Sequence, residues 1–139
     1  MTAKEYLRQY EYAKRRAARY RDMYENELRQ IDAVRSLSDN DGMPHGSNIS
    51  KPTEDKAIRL ADKALRWQQA ELDAIAIGDK VFATISDIPD IEGDVLYLRY
   101  IKLRKWEEIC VELHYSWNGI HKVHRRALSI VDGIISNRV

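Results

Sequence analysis

A chain of 139 residues is the size of one ordinary domain or of two small ones joined by a short link; six glycines, three prolines and one phenylalanine are too few for an all-β design. The single Cys110 excludes an intramolecular disulfide, and no apolar run approaches the roughly 20 residues of a membrane span or the core of a signal peptide. A net charge of +1 excludes a uniformly basic chain, so any polyanionic partner must be met by a local patch. Ala, Leu, Arg, Glu and Tyr abound, and the expectation is an all-α cytoplasmic protein, with no membrane partner and no cofactor.

From Thr2 to about Ser36 there is neither Gly nor Pro, and apolar or aromatic residues recur in alternating steps of three and four. Ala3, Tyr6, Tyr10, Ala13, Ala17, Tyr20, Tyr24, Ile31 and Val34 fill nine of ten successive positions on that grid, with Glu27 the exception and Leu28 beside it. The spacing predicts a long amphipathic helix of coiled-coil type. The stretch "SLSDNDGMPHGSNISKP", residues 36–52, combines turn residues without periodicity and is expected to be a flexible connection. Thr53 then suits an N-cap, with Glu54 and Asp55 in the first turn. A second long helix follows, with Ile58, Ala61, Leu65, Leu72, Ile75 and Phe82 as its inward stripe.

Two such helices can pair within one chain as a hairpin spanning 1–86. A narrow hairpin buries little core, and tyrosines suit partly exposed contacts, so the same seam can build a homodimer or higher oligomer; the spacing leaves both open.

The hairpin is expected to end near Thr84, before "ISDIPDIEGD". Asp87 would cap the next helix, Pro89 would sit in its first turn, and Asp90, Glu92 and Asp94 favour that N-terminus. Val95, Leu96, Leu98 and Ile101 are its buried side. After a break at 102–104 a short helix carries Trp106, Ile109, Cys110 and Leu113 on one face. Ser116 is a good N-cap for the last helix, whose inner side is Ile120, Val123, Ala127, Leu128, Val131 and Ile134. Three short helices with a tight turn before the third describe a helix-turn-helix over 87–139, a unit expected to fold alone. Residues 79–98 carry one base against five acids, whereas 99–139 carry eight against four, with His114, His121 and His124 as latent charge. The C-terminal end is a basic module, and local fields of this kind steer a phosphate backbone.

The segment "IPDIEGDVLYLRYIKLRKWEEICVELHYSWNGIHKVHRRALSIV" resembles the region 4 helix-turn-helix of bacterial sigma factors. Ile88-Pro89, Val95-Leu96, Leu98-Arg99-Tyr100, Glu107-Glu108-Ile109-Cys110, Leu113-His114, Ser116, Ile120 and Arg125-Arg126-Ala127-Leu128 stand at the family's spacings. With "TAKEYLRQY" at the start and "RYIKLRKWEEI", the whole chain is similar to small phage-encoded transcription regulators of the RinA and ArpU type. Departures from the pattern are the residue near Leu103, where the family has Gly; Lys105, where it has a Thr cap; and His114, where Gly often relieves the turn. The resemblance implies phage or prophage transcriptional regulation, of the late-gene activator kind, by sequence-specific binding to double-stranded DNA, and no enzyme activity.

With Ile120, Val123 and Ala127 inward, Trp117, Asn118, His121 and Lys122 face outward, followed by Arg125 and Arg126. A helix fits the DNA major groove, where Asn pairs with adenine, Lys or Arg with guanine, and an indole packs on a thymine methyl. By the resemblance, Trp117, Asn118 and Lys122 read bases, while Ser116, His121, Arg125 and Arg126 meet phosphates. Arg104 and Lys105 precede the second helix, whose N-terminus approaches the backbone in this docking mode. The blander alternative is a solvated basic face on a small α-domain. Two other classes are a DNA-packaging protein like a small terminase subunit and an interaction module that engages RNA polymerase. "KRRAARYR", residues 14–21, reads more simply as the solvated side of a long helix than as a second DNA contact.

Competing chemistry is poorly placed. Cys110, His114, His121 and His124 could be written as a zinc set, but Cys110 points inward while His121 lies outward on another helix. The same Cys and His lack a pocket, an orienting acid and an oxyanion hole for nucleophilic work. Glu107 and Glu108 point apart, and no Gly-rich phosphate loop is present.

Overall fold

The computed structural model describes residues 1–39 and 50–138. The protein is all-α: α1 (Ala3–Asp39), α2 (Ser50–Ser86), α3 (Asp90–Leu96) continued by one π-helical turn (Tyr97–Ile101), α4 (Trp106–Leu113) and α5 (Trp117–Asn137), with no strand among the described residues. No helix of the described residues is long and apolar enough to cross a membrane.

α1 starts on a reciprocal cap. The Thr2 N–H donates to Glu5 Oε2 at 2.8 Å and the Glu5 N–H donates to Thr2 Oγ1 at 3.2 Å. The Thr2 N–H, and after it the Thr2 hydroxyl, hold the Glu5 carboxyl below its ordinary range. The Ala3 N–H donates to the Asp132 carboxylate of α5 at 2.8 Å, tying the chain's start to its last helix. At the other end α1 runs to Asp39, and α2 starts at Ser50, so both helices reach into the stretch read as a connection; the rest of that stretch lies outside the described residues. The start at Ser50 also replaces the cap expected at Thr53. Pro52 falls in the first turn, where a missing N–H costs no intrahelical bond.

Packing divides the chain into two compact units, residues 1–13 with 73–139, and residues 14–72. In the 14–72 unit Ala17 and Ala70 are buried, the Tyr24 and Trp67 rings lie 5.4 Å apart, and the Arg21 guanidinium sits 5.9 Å from the Trp67 ring. Glu27, the break in the tyrosine grid, is matched across the pair. Its carboxylate takes a 2.9 Å bond from Lys63 Nζ, with Arg59 at 4.0 Å, and the Lys63 bond holds its pKa down. Leu28 is left 36% exposed.

The other unit holds two apolar clusters. One joins Ala3 and Leu7 of α1, Val81 and Ile85 of α2, Ile88, Leu96, Tyr100, and Ala127 and Val131 of α5. The second joins Val95, Leu98, Ile109, Ile120 and Val123. The expected division between 86 and 87 runs through the first cluster, so a fragment 87–139 would strip Ile88, Leu96, Tyr100, Ala127 and Val131 of the apolar side chains from both long helices. Thr84 is fully buried among them, bonded to the Tyr6 hydroxyl at 3.0 Å and the Lys80 carbonyl at 3.2 Å.

The inward stripe of α2 is not the aliphatic one. Ile58, Leu65, Leu72, Ile75 and Phe82 are 49–66% exposed, and Ala61 is exposed as well. Buried instead are Ala70, Ala74, Val81, Thr84 and Ile85. The reason is volume. The Tyr10 ring lies so close to Gly78 that an added Cβ there would stand 2.6 Å from the ring, and small residues on α2 make room for the large seam of α1.

The start of α3 also differs from expectation. The helix begins at Asp90, Pro89 occupies the cap position without a side-chain cap bond, and Asp87 does not cap. Asp90 and Glu92 do lie in the first turn. Asp90 itself has φ 64°, a left-handed conformation that turns the chain into the helix.

Candidate nucleic-acid interface

α4, a one-residue left-handed turn and α5 form a helix-turn-helix. α4 closes at His114, with φ 59° and ψ 44°, and the Tyr115 N–H donates to the Cys110 carbonyl at 3.0 Å. The chain then extends to Ser116, whose hydroxyl accepts from the Gly119 N–H at 3.0 Å and caps α5. An exposed histidine at the left-handed position bears the Cβ crowding that Gly avoids. His114→Gly is therefore expected to raise stability by about 0.5–1 kcal/mol in urea unfolding; an unchanged midpoint would show that the turn stores no strain. The N-terminus of α4 is looser. Lys105 stands at its cap position without a side-chain bond, after Leu103 at φ 56°.

The spacing of Ile120, Val123, Ala127 and Val131 turns those residues under, against Ile109 and the helices beneath. Trp117, Asn118, Lys122 and Arg125 are thereby exposed over the first turns of α5. Trp117 is 52% exposed, and its ring meets His121 edge-on at 4.6 Å. Asn118, Lys122 and Arg125 have no side-chain partner among the described residues, which leaves an amide, an ammonium and a guanidinium open to solvent.

Three of the expected contact residues are engaged by their own protein. His121 is half-buried between the Trp117 and Trp106 rings, each within 4.7 Å, so it braces the exposed indole rather than standing free. Arg126 lies on the flank facing α3 and pairs with the Glu92 carboxylate at 3.3 Å, which offsets its charge. Arg104 comes within 3.9 Å of the Glu108 carboxylate, while Lys105 is exposed. Ser116 keeps a hydroxyl proton to donate beyond its cap role.

A second set of residues supports the face from below. His124 is buried, and its Nε2 lies 2.7 Å from the Tyr100 hydroxyl. Burial pushes its pKa down to about 4, helped by Lys4, His121 and Arg99, so it adds no positive charge to the module near neutrality. Burial likewise pushes the Tyr100 hydroxyl up to about 12. Trp106 packs its ring on both His121 and His124 at 4.7 Å, with the Arg99 guanidinium 4.9 Å from its centre. Rings thus run in contact from solvent to core: Trp117, His121, Trp106, His124, Tyr100. The sequence carried a signal for His124, which falls on the same three-and-four grid as Ile120, Ala127 and Val131; Arg99 and Tyr100 belong to a motif already noted, without a role.

No known family, curated protein or solved structure matches the chain. Among the described residues no group of three or more His, Cys, Asp or Glu is placed to hold a metal ion. Cys110 is half-buried and unpaired.

Proposed function

We propose that the chain binds duplex DNA by laying the N-terminal turns of α5 in the major groove, with Asn118 and Lys122 on base edges, Trp117 on a thymine methyl, and Arg125, Lys105 and the Ser116 hydroxyl on phosphates. One observation carries this reading. A capped helix presents an exposed indole, amide, ammonium and guanidinium side by side, while its aliphatic ridge is fully used in the core. Solvent alone gives a half-exposed tryptophan braced by a histidine no purpose. The sequence resemblance to sigma factor region 4 and to RinA- and ArpU-type regulators supports reading this binding as part of phage or prophage transcription. Arg126 and Arg104, already near carboxylates, take a smaller share of the backbone contacts.

The test begins with a cognate duplex selected from a randomised pool. Asn118→Ala and Lys122→Ala should each weaken binding to it by roughly 5- to 100-fold, and weaken binding to random duplex much less. Raising salt from about 50 to about 200 mM should cost on the order of a hundredfold in affinity if four cations neutralise phosphates. Equal loss on both duplexes would remove base reading, and a flat salt response would remove the backbone contacts.

A further inference from the structure

The link between the π-helical turn and α4 has no side-chain cap to fix it. Residues 102–105 are outside any helix, Leu103 takes a left-handed φ of 56°, and Lys105 stands at the cap position without a side-chain bond. The Arg104 N–H donates to the Leu98 carbonyl at 2.9 Å and holds the link from one side. Arg99, half-buried at the middle of the π-helical turn, holds it from the other. Its Nη1 donates to the Arg104 carbonyl at 3.0 Å, and the same guanidinium lies 4.9 Å from the centre of the Trp106 ring. One planar group therefore engages the residue before Lys105 and the residue after it. A lysine could not do both, because an ammonium has neither the fork nor the flat face.

We propose that Arg99 is a positioning residue for the DNA face, an inference that rests on the DNA reading above. It fixes the 102–105 link so that the exposed Lys105 ammonium is held where a phosphate passes, and it seats Trp106 beneath His121 and Trp117. Its own guanidinium is occupied by the Arg104 carbonyl and the indole, so Arg99 acts through Lys105 and Trp106 rather than by touching the duplex. All of these residues lie in the unit formed by 1–13 and 73–139. The π-helical turn supplies the geometry: the Lys102 N–H reaches back to the Tyr97 carbonyl at 3.0 Å, and Arg99 sits on that widened turn, five residues from the carbonyl it holds.

The test is a double-mutant cycle on the full chain with the selected duplex. Arg99→Met removes the guanidinium, and Arg99→Lys keeps the charge but loses the planar fork. Each should weaken binding by about three- to tenfold and lower the slope of log affinity against log salt by about one, although Arg99 meets no phosphate itself. Lys105→Ala should lower the slope equally by itself, yet cost less than about a further twofold in the Arg99→Met background. Losses that multiply, or full rescue by Arg99→Lys, would mean that Arg99 carries its charge to the backbone directly, and would overturn the positioning role. A second readout needs no DNA. Amide exchange at Arg104 should quicken in both Arg99 variants by at least about tenfold more than at Val123 and Ala127 of the core. Unchanged exchange at Arg104 overturns the hold on the link, whatever the binding shows. Faster exchange in a protein whose wild type binds no duplex separates the two: the hold on the link stands, and the DNA reading falls with the role assigned within it.

Discussion

Acidification from about pH 7 to about pH 4.5 should remove about 2–3 kcal/mol of folding stability through His124 alone. The ring is 8% exposed and its folded-state pKa is pushed down to about 4, chiefly by burial, against 6.5 in the open chain. A histidine with a depressed folded pKa contributes stability that is complete above the unfolded value and is lost as pH falls toward the folded value. The window is therefore about pH 6.5 down to about pH 4. Carboxylates titrate in the same region, so the measurement is a difference: urea unfolding of the wild type and of His124→Gln across that window. The variant keeps a hydrogen-bonding partner for the Tyr100 hydroxyl but takes up no proton. The gap between the two curves should change by about 2–3 kcal/mol over the window; parallel curves would show that protonated His124 finds room in the fold. DNA binding should weaken on the same acid limb in the wild type, because His124 supports Trp106, and Trp106 supports His121 and Trp117.

Gly93→Ala should destabilise the protein by about 3 kcal/mol. Inside a helix this exchange normally stabilises by nearly 1 kcal/mol, because Ala loses less backbone freedom. Here an added Cβ would collide with the Ile88 carbonyl oxygen and stand 3.2 Å from its carbon, and both are backbone atoms that no rotamer change can move. To make room, the Ile88 turn would have to lift off α3. Ile88 belongs to the cluster that joins the long helices to α5, so the cost spreads beyond the contact. Thermal or urea unfolding reads the effect. A neutral or stabilising result would mean that the turn before α3 relaxes freely. As a control, Gly133→Ala, with nothing within 4 Å of its added Cβ, should gain stability by the ordinary helix preference.

The C-terminal face was legible because its determinants are local. Ile120, Val123, Ala127 and Val131 repeat at helical spacing, Ser116 can cap only the helix that follows it, and their combination turns Trp117, Asn118, Lys122 and Arg125 outward. Local spacing also showed α1 its inner side, where Ala3 and Ala17 are buried and Tyr6 and Tyr10 between them are half-buried. It stopped short at Arg126 and His121, whose partners come from α3 and α4 and lie tens of residues or a whole turn away. His114 at the left-handed turn shows the opposite balance, since the tight helix-to-helix link imposes a conformation that its residue type does not favour.

α2 marks the boundary between the two kinds of information. Its sequence carries two stripes at the same spacing, and hydrophobicity favours the one with Ile58, Leu65, Leu72 and Ile75. Periodicity alone determined that α2 is a helix with those two faces. Which face turns inward was decided by packing against α1, where the Tyr10 ring lies on Gly78, on the same small side of α2 that buries Ala70 and Ala74. Likewise, only packing made His124 a neutral core residue and drew Leu7, Val81 and Ile85 into the cluster under α5. Caps and repeats act over a few residues and can be read along the chain, whereas volume and desolvation are settled between segments that meet only after folding.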